Sequence, residues 1–288
     1  MRVPIKACIV LVLLQSACTS SGVLDPHGPV SGAERTILFN ATVIMLAVVV
    51  PVILATGLFA WWFRAGNRKA RRELEWSYAG RIEFVVWAIP ALVVLFLGGI
   101  SWIGSHDLDP RTPLQTASAS APAPAPIEVE VVSLDWKWLF IYPSLNVASV
   151  NRLVAPVGTP LHFRLTSAGV MNSFFIPQLG SQIYTMAGMA TELNLQADDQ
   201  GTFAGLSAQF SGDGFSDMRF DMSVVTPQAF AQWIDAARAH GGSLGPKEYA
   251  ELTRPSQKEA PRTFAAVSPK LFEAILATPG AAPQEISK

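Results

Sequence analysis

The chain has 288 residues, half of them apolar and only 15% charged, with 21 Lys and Arg against 22 Asp and Glu. So few cations at near-zero net charge exclude the basic footprint that nucleic acid requires, and so much apolar sequence fits a membrane protein with a folded extramembrane part. Two cysteines and four histidines leave little for thiolate or imidazole metal chemistry.

Residues 1–17 read as a secretory signal: Arg2 and Lys6 lead into the short apolar run Ile9 to Leu14, too short to span a bilayer. The following Gln15-Ser16-Ala17-Cys18 resembles a bacterial lipoprotein cleavage box, with Gln15 in place of the usual aliphatic residue. Cys18 is therefore the expected lipidation site, and Cys8 leaves with the signal. One cysteine then remains, which forbids an intramolecular disulfide and a thiolate metal site in the mature chain.

A leading segment, 18–36, precedes 37–63, an almost unbroken apolar run long enough to cross a hydrocarbon core. Pro51 inside it is tolerable in a membrane, and Trp61 and Trp62 close it where amphipathic rings prefer the interface. A second span covers 82–104, with Pro90 inside and Trp102 near its end. The connection, 64–81, carries Arg64, Arg68, Lys69, Arg71, Arg72 and Arg81 against Glu73 and Glu75. By the positive-inside rule it faces the cytoplasm, so both ends of the chain are expected outside, in agreement with the signal.

Residues 105–126 include a stretch of Ala, Ser and Pro that reads as a linker. From 127 to 225 short period-two runs alternate with turn signals, among them Ile127-Glu128-Val129-Glu130-Val131 and Leu161-His162-Phe163-Arg164-Leu165. That pattern predicts an all-β barrel or sandwich. In 226–288, Thr226-Pro227 and Ser268-Pro269 each stand as a cap and first-turn proline ahead of helical spacing, with Gly241-Gly242 and Gly245-Pro246 as breaks. Short amphipathic helices are expected there, covering the barrel or docking on a partner.

The segments Val132-Ser-Leu-Asp-Trp-Lys-Trp-Leu-Phe-Ile-Tyr-Pro143, Met171 to Met189 and Gly205 to Met218 resemble subunit II of the haem-copper oxidases, in its quinol-oxidising, cytochrome bo-type branch. The resemblance runs from Leu24-Asp25-Pro26 to the C-terminal helices. It implies a two-helix transmembrane hairpin followed by a cupredoxin-like barrel and short C-terminal helices. In copper-bearing relatives two Cys, two His, a Met and a Glu carbonyl hold two coppers. The corresponding positions here read Asn172, Ser207, Gln209, Ser211, Phe215 and Met218, so only the methionine is kept. A lone thioether cannot hold a copper pair.

The resemblance also implies a role for Glu83, at the cytoplasmic mouth of the second span, in proton uptake toward the large subunit. The alternative is a snorkelling side chain that reaches the headgroup water and pairs with Arg81. Trp136, Trp138 and Phe140 are expected on one strand face as packing, because an electron relay there has no copper to serve. Met171, Met186, Met189, Met218 and Met222 read as core filling, and His162 as a hydrogen-bonded strand residue. Neither span contains a histidine, so haems and copper are expected in the partner, subunit I, and none in this chain. The function implied is a non-catalytic subunit of a proton-pumping ubiquinol oxidase of a bacterial inner membrane. Its expected partners are subunit I, the other integral membrane subunits, ubiquinol through the complex, and membrane lipid. A stand-alone membrane lipoprotein with a cupredoxin-like domain, or a cytochrome c oxidase subunit with an atypical metal site, are the alternatives.

Overall fold

Uninterrupted apolar sequence without a turn signal produces two long helices, α1 (Pro29–Trp62) and α2 (Gly80–Asp107). A computed structural model describes residues 22–71, 75, 77–114 and 124–278; the expected signal, Cys18 and residues 115–123 of the linker lie outside them. Both helices are long and apolar enough to cross a membrane, and Pro51 and Pro90 lie within them. The helix α1 starts ahead of the apolar run, and α2 continues past Gly104 to Asp107. This places His106 inside the last turn, where its Nδ1 lies 2.8 Å from the Trp102 carbonyl oxygen. A side chain on Gly104 would meet Ile37 Cδ1 at 2.6 Å, so the two helices approach closely there through a residue with no Cβ. Phe84, Trp87, Val94 and Leu95 are all exposed, which requires lipid or another protein around them.

Contacts divide the chain into two bodies: residues 33–112, and a second body built from the segment before Ala33 and the chain from Pro113 onward. The second body is a two-sheet β domain. One sheet runs β11-β12-β3-β2-β1-β5-β8, the other β4-β10-β9-β6-β7. In chain order these are β1 (Ile127–Leu134), β2 (Lys137–Tyr142), β3 (Val147–Val150), β4 (Arg152–Pro156), β5 (Leu161–Ser167), β6 (Asn172–Phe175), β7 (Ile183–Thr185), β8 (Thr191–Leu195), β9 (Gly201–Ser207), β10 (Arg219–Val225), β11 (Gly242–Leu244) and β12 (Arg262–Val267). The pairs β1 with β5 and β4 with β10 are parallel. The expected barrel is thus a cupredoxin-like β domain.

Its principal core lies between the sheets. Trp138, Phe140, Phe163, Phe174 and Phe220 interlock there, Trp138 meeting Phe174 edge-on at 5.4 Å and Phe174 stacking on Phe220 at 5.1 Å. Burial of each such ring contributes about 1.5–3 kcal/mol. The alternation expected of a half-buried sheet holds on β10 but fails on β1 and β2, where both faces are covered. The reason is a second core: Val132, Leu134, Leu139 and Ile141 turn away from the first and pack under Leu244, Tyr249, Phe264 and Phe272 of the C-terminal segment.

That segment holds α3 (Pro227–His240), α4 (Pro246–Leu252) and α5 (Leu271–Ala277). It is not helical throughout, since β11 and β12 extend the first sheet from its β3 edge. Thr226 caps α3 as its sequence implies, accepting the Ala229 amide at 3.2 Å. Ser268 does not cap α5. The residue before that helix is Lys270, in the left-handed region at φ 56°, with no side-chain cap.

Candidate functional site

One end of the β domain gathers the turn between β1 and β2, the loop into β6, the connection from β7 to β8, and the loop 208–218 between β9 and β10. The positions singled out as replaced copper ligands meet here. Asn172 opens β6 and Ser207 closes β9, and the register of Phe174 with Ser207 brings their strands together. Ser207 Oγ lies 3.1 Å from Asn172 Oδ1 and 3.2 Å from the Gln209 carbonyl oxygen, so its single proton serves two acceptors. The Asn172 amide nitrogen donates to Val170 O at 3.0 Å. Ser211 Oγ stands 4.0 Å from Met218 Sδ, and Met218 is 1% exposed.

The cupredoxin-like fold of an oxidase subunit implies a copper pair in such loops, and the donor set does not fit one. An amide, two hydroxyls, an aromatic ring and one thioether stand where thiolates and imidazoles would be required. Asn172 and Ser207 satisfy each other and the main chain, and the Trp136 indole lies over the loop. Among the described residues no group of three or more His, Cys, Asp or Glu is gathered to hold a metal ion.

Trp136 departs from its expected place. It lies in the hairpin turn ahead of β2, at φ 62°, yet packs against the same core as Trp138 and Phe140 while its indole lies over the loop. Its Nε1 donates to Ser211 O at 3.1 Å, and a side chain at Gly214 would strike the ring. Glycine is needed at 214 because the loop backbone lies directly on the indole. Outside this closed centre the same end is apolar and open: Val170, Met189 and Phe210 are exposed, Phe210 at 71%, with Phe215 edge-on to it at 5.6 Å.

The remaining candidates are scattered. Glu83 sits in the first turn of α2, exposed, and no ion pair with Arg81 is found among the described residues. His162 Nδ1 lies 3.0 Å from Asn194 Oδ1 across the β5–β8 ladder. Of the methionines, Met218 and Met222 are buried in the core, whereas Met171 and Met189 are exposed at the apolar end.

Two charged clusters escaped the sequence reading. On β1 and β5, Arg164 reaches Glu130 at 3.1 Å, Glu273 of α5 at 3.4 Å and Glu128 at 3.6 Å, while its guanidinium lies over the Phe272 ring at 5.0 Å. Burial and the neighbouring Glu273 carboxylate outweigh Arg164 and push the Glu130 carboxyl up to about 7. A cavity of about 600 Å³ opens beside it, lined in part by Glu130, Asn146, Lys270 and Glu273. The other cluster ties the segment before α1 to the β domain through His27. For the first, the signal was charged residues alternating inside an apolar pattern, which does not name their partners; the Asp25-Pro26-His27-Gly28-Pro29 stretch carried no such pattern.

Comparison with protein families places this architecture. Residues 128–225 match the model described as cytochrome c oxidase subunit II, periplasmic domain, and residues 238–278 match the COX aromatic rich motif. Fold and families together define the class: a subunit II of the oxidase type, with two membrane-length helices ahead of its β domain. A cytochrome bo(3) ubiquinol oxidase subunit 2 of Pseudomonas aeruginosa is 46% identical over 264 residues, covering 92% of this chain and 78% of the relative. A ubiquinol oxidase subunit 2 of Acetobacter aceti is 44% identical over 265 residues, covering 92% and 84%. The chain belongs to the subunit 2 family of the cytochrome bo(3) ubiquinol oxidases, within the haem-copper oxidase superfamily.

Proposed function

We infer that this chain is the non-catalytic subunit II of a proton-pumping ubiquinol oxidase, in which electrons pass from ubiquinol to oxygen through haems and copper held by subunit I. The observation that carries this reading is the closed centre of the β domain. Asn172, Ser207 and Ser211 spend their polar atoms on each other, on the main chain and on Met218. With no metal to receive them, electrons need another way in, and a membrane-soluble quinol can deliver them to the partner directly.

The two spans anchor the chain in the bacterial inner membrane with the connection 64–81 in the cytoplasm and the β domain in the periplasm, on the strength of the basic charge in that connection. Cys18 adds a lipid anchor. The exposed apolar collar around Phe210 gives the β domain a face for the integral membrane subunits. Glu83, in the first turn of α2, takes part in proton uptake toward subunit I.

Oxygen consumption by the purified complex, supplied separately with ubiquinol and with reduced cytochrome c, tests the reading. Turnover with quinol alone, and no copper in the isolated chain by elemental analysis, is expected. Turnover with cytochrome c would overturn it. A Glu83→Ala complex is expected to lose oxygen reduction or proton uptake; unchanged values of both would return Glu83 to a merely solvated side chain.

A further inference from the structure

The segment before α1, together with the first turn of α1, is built into the β domain by more than chain continuity. The His27 amide donates to Gln178 O at 2.8 Å, and the His27 carbonyl accepts the Asp198 amide at 2.8 Å. Ser31, fully buried, donates through its hydroxyl to Gln178 O at 2.8 Å and through its amide to Leu179 O at 3.2 Å. Gly28 lies so close to the Gln196 carbonyl that a Cβ there would collide with it. The His27 ring rests 5.1 Å from the Phe203 ring.

The imidazole stands between two carboxylates, Nδ1 at 2.9 Å from Asp199 Oδ2 and Nε2 at 3.3 Å from Asp25 Oδ2. Asp25 comes from the same segment and Asp199 from the turn between β8 and β9. The neighbouring Asp198 carboxylate is taken by Gln196 Nε2 at 2.7 Å, and Gln178, on the connection from β6 to β7, donates to Asp25 at 3.1 Å. Both charges acting on His27 are therefore negative. An imidazolium has two N–H donors and satisfies both carboxylates. A neutral ring has one, and turns a lone pair toward the other carboxylate.

We propose that residues 24–31 form a pH-sensitive strap, in which the His27 imidazolium bridges Asp25 and Asp199 to hold the lead-in to α1 on the β domain and loosens it on losing its proton. The bond to Asp199 is the largest effect and raises the proton affinity of His27; burial comes next and opposes it, and the bond and charge of Asp25 and the charge of Asp199 add to the rise. A raised value means that the stabilisation is fully present below the ordinary histidine value of 6.5 and is lost as pH rises through the higher folded value. If the complex exports protons, as inferred above, the strap is closed when the outer face is acid.

The test is amide hydrogen exchange on the full chain in its purified complex, at about pH 6 and about pH 8.5, corrected for intrinsic exchange at each pH. Protection of the His27, Ser31 and Asp198 amides is expected to fall several-fold at the higher pH. In His27→Gln it should be low and flat across the range. Asp199→Asn, at a side chain that is 64% exposed, keeps an acceptor but not the charge, and should flatten the pH response even if the first variant fails to fold. Equal protection at both pH values in the unaltered chain, or an unaltered profile in either variant, would overturn the proposal. The readout is structural, so it is independent of which donor the complex oxidises.

Discussion

Lys137 is 1% exposed, yet its charge is answered: Nζ donates at 2.9 Å to the carbonyl of Leu252, the last residue of α4, and at 2.7 Å to Arg254 O just beyond it. Burial lowers its proton affinity, while the aligned carbonyls of a helix C-terminus favour the cation. Lys137→Met keeps the carbon chain and removes both bonds, and is expected to cost about 2–3 kcal/mol in denaturant unfolding of the chain. Gly205 makes the opposite kind of demand. It faces Phe220 across the β9–β10 ladder, and a Cβ would drive into that ring. Gly205→Ala should therefore destabilise by about 1–3 kcal/mol through overpacking, measured in the same way.

At the scale of elements, α5 is fastened to β1 and β5 by Arg164, which serves three carboxylates and stacks on Phe272. Glu130 holds its proton in the folded chain up to about 7 and releases it near the ordinary value of 4.5 when unfolded. The native state thus binds the extra proton between those values, so this contribution to stability is complete below about 4.5 and is lost as pH rises to about 7. Glu130→Gln removes the titration, and denaturation midpoints measured across that window should vary less with pH than in the unaltered chain. The β1 pattern Glu128-Val129-Glu130 implied a solvated face. Glu130 is nevertheless covered, because Arg164 and α5 close over it and α5 arrives from more than a hundred residues away, and alternation cannot register a lid supplied by distant sequence.

For the whole molecule, one body is two apolar helices with exposed side chains, and the other is a β domain whose open face is a collar of Val170, Met189 and Phe210. An aromatic ring that is 71% exposed adds little to the stability of the chain that carries it. Phe210→Asp should leave unfolding of the isolated chain within about 0.5 kcal/mol and lower the yield of assembled oxidase on detergent purification. Equal yield would show that this collar is not used in assembly.

Length, apolar runs and the basic connection by themselves determined the two membrane-length helices, because a bilayer-spanning segment is set by composition over about 20 residues and needs no partner to be recognised. Turn residues and period-two runs likewise determined an all-β domain, and at the positions that the resemblance sets against copper ligands, Asn172, Ser207, Gln209, Ser211, Phe215 and Met218, the residue types do not fit a copper pair. Only the tertiary structure decided how that centre is closed, with Trp136 in the hairpin turn bonded to the loop at Ser211 and Ser207 turning to Asn172. It alone also joined His27 to Asp199, Arg164 to Glu273 and Lys137 to the end of α4. Each of these pairs spans a long stretch of chain. A charged side chain announces that it needs a partner, but which one it meets depends on how the sheets and the C-terminal segment pack.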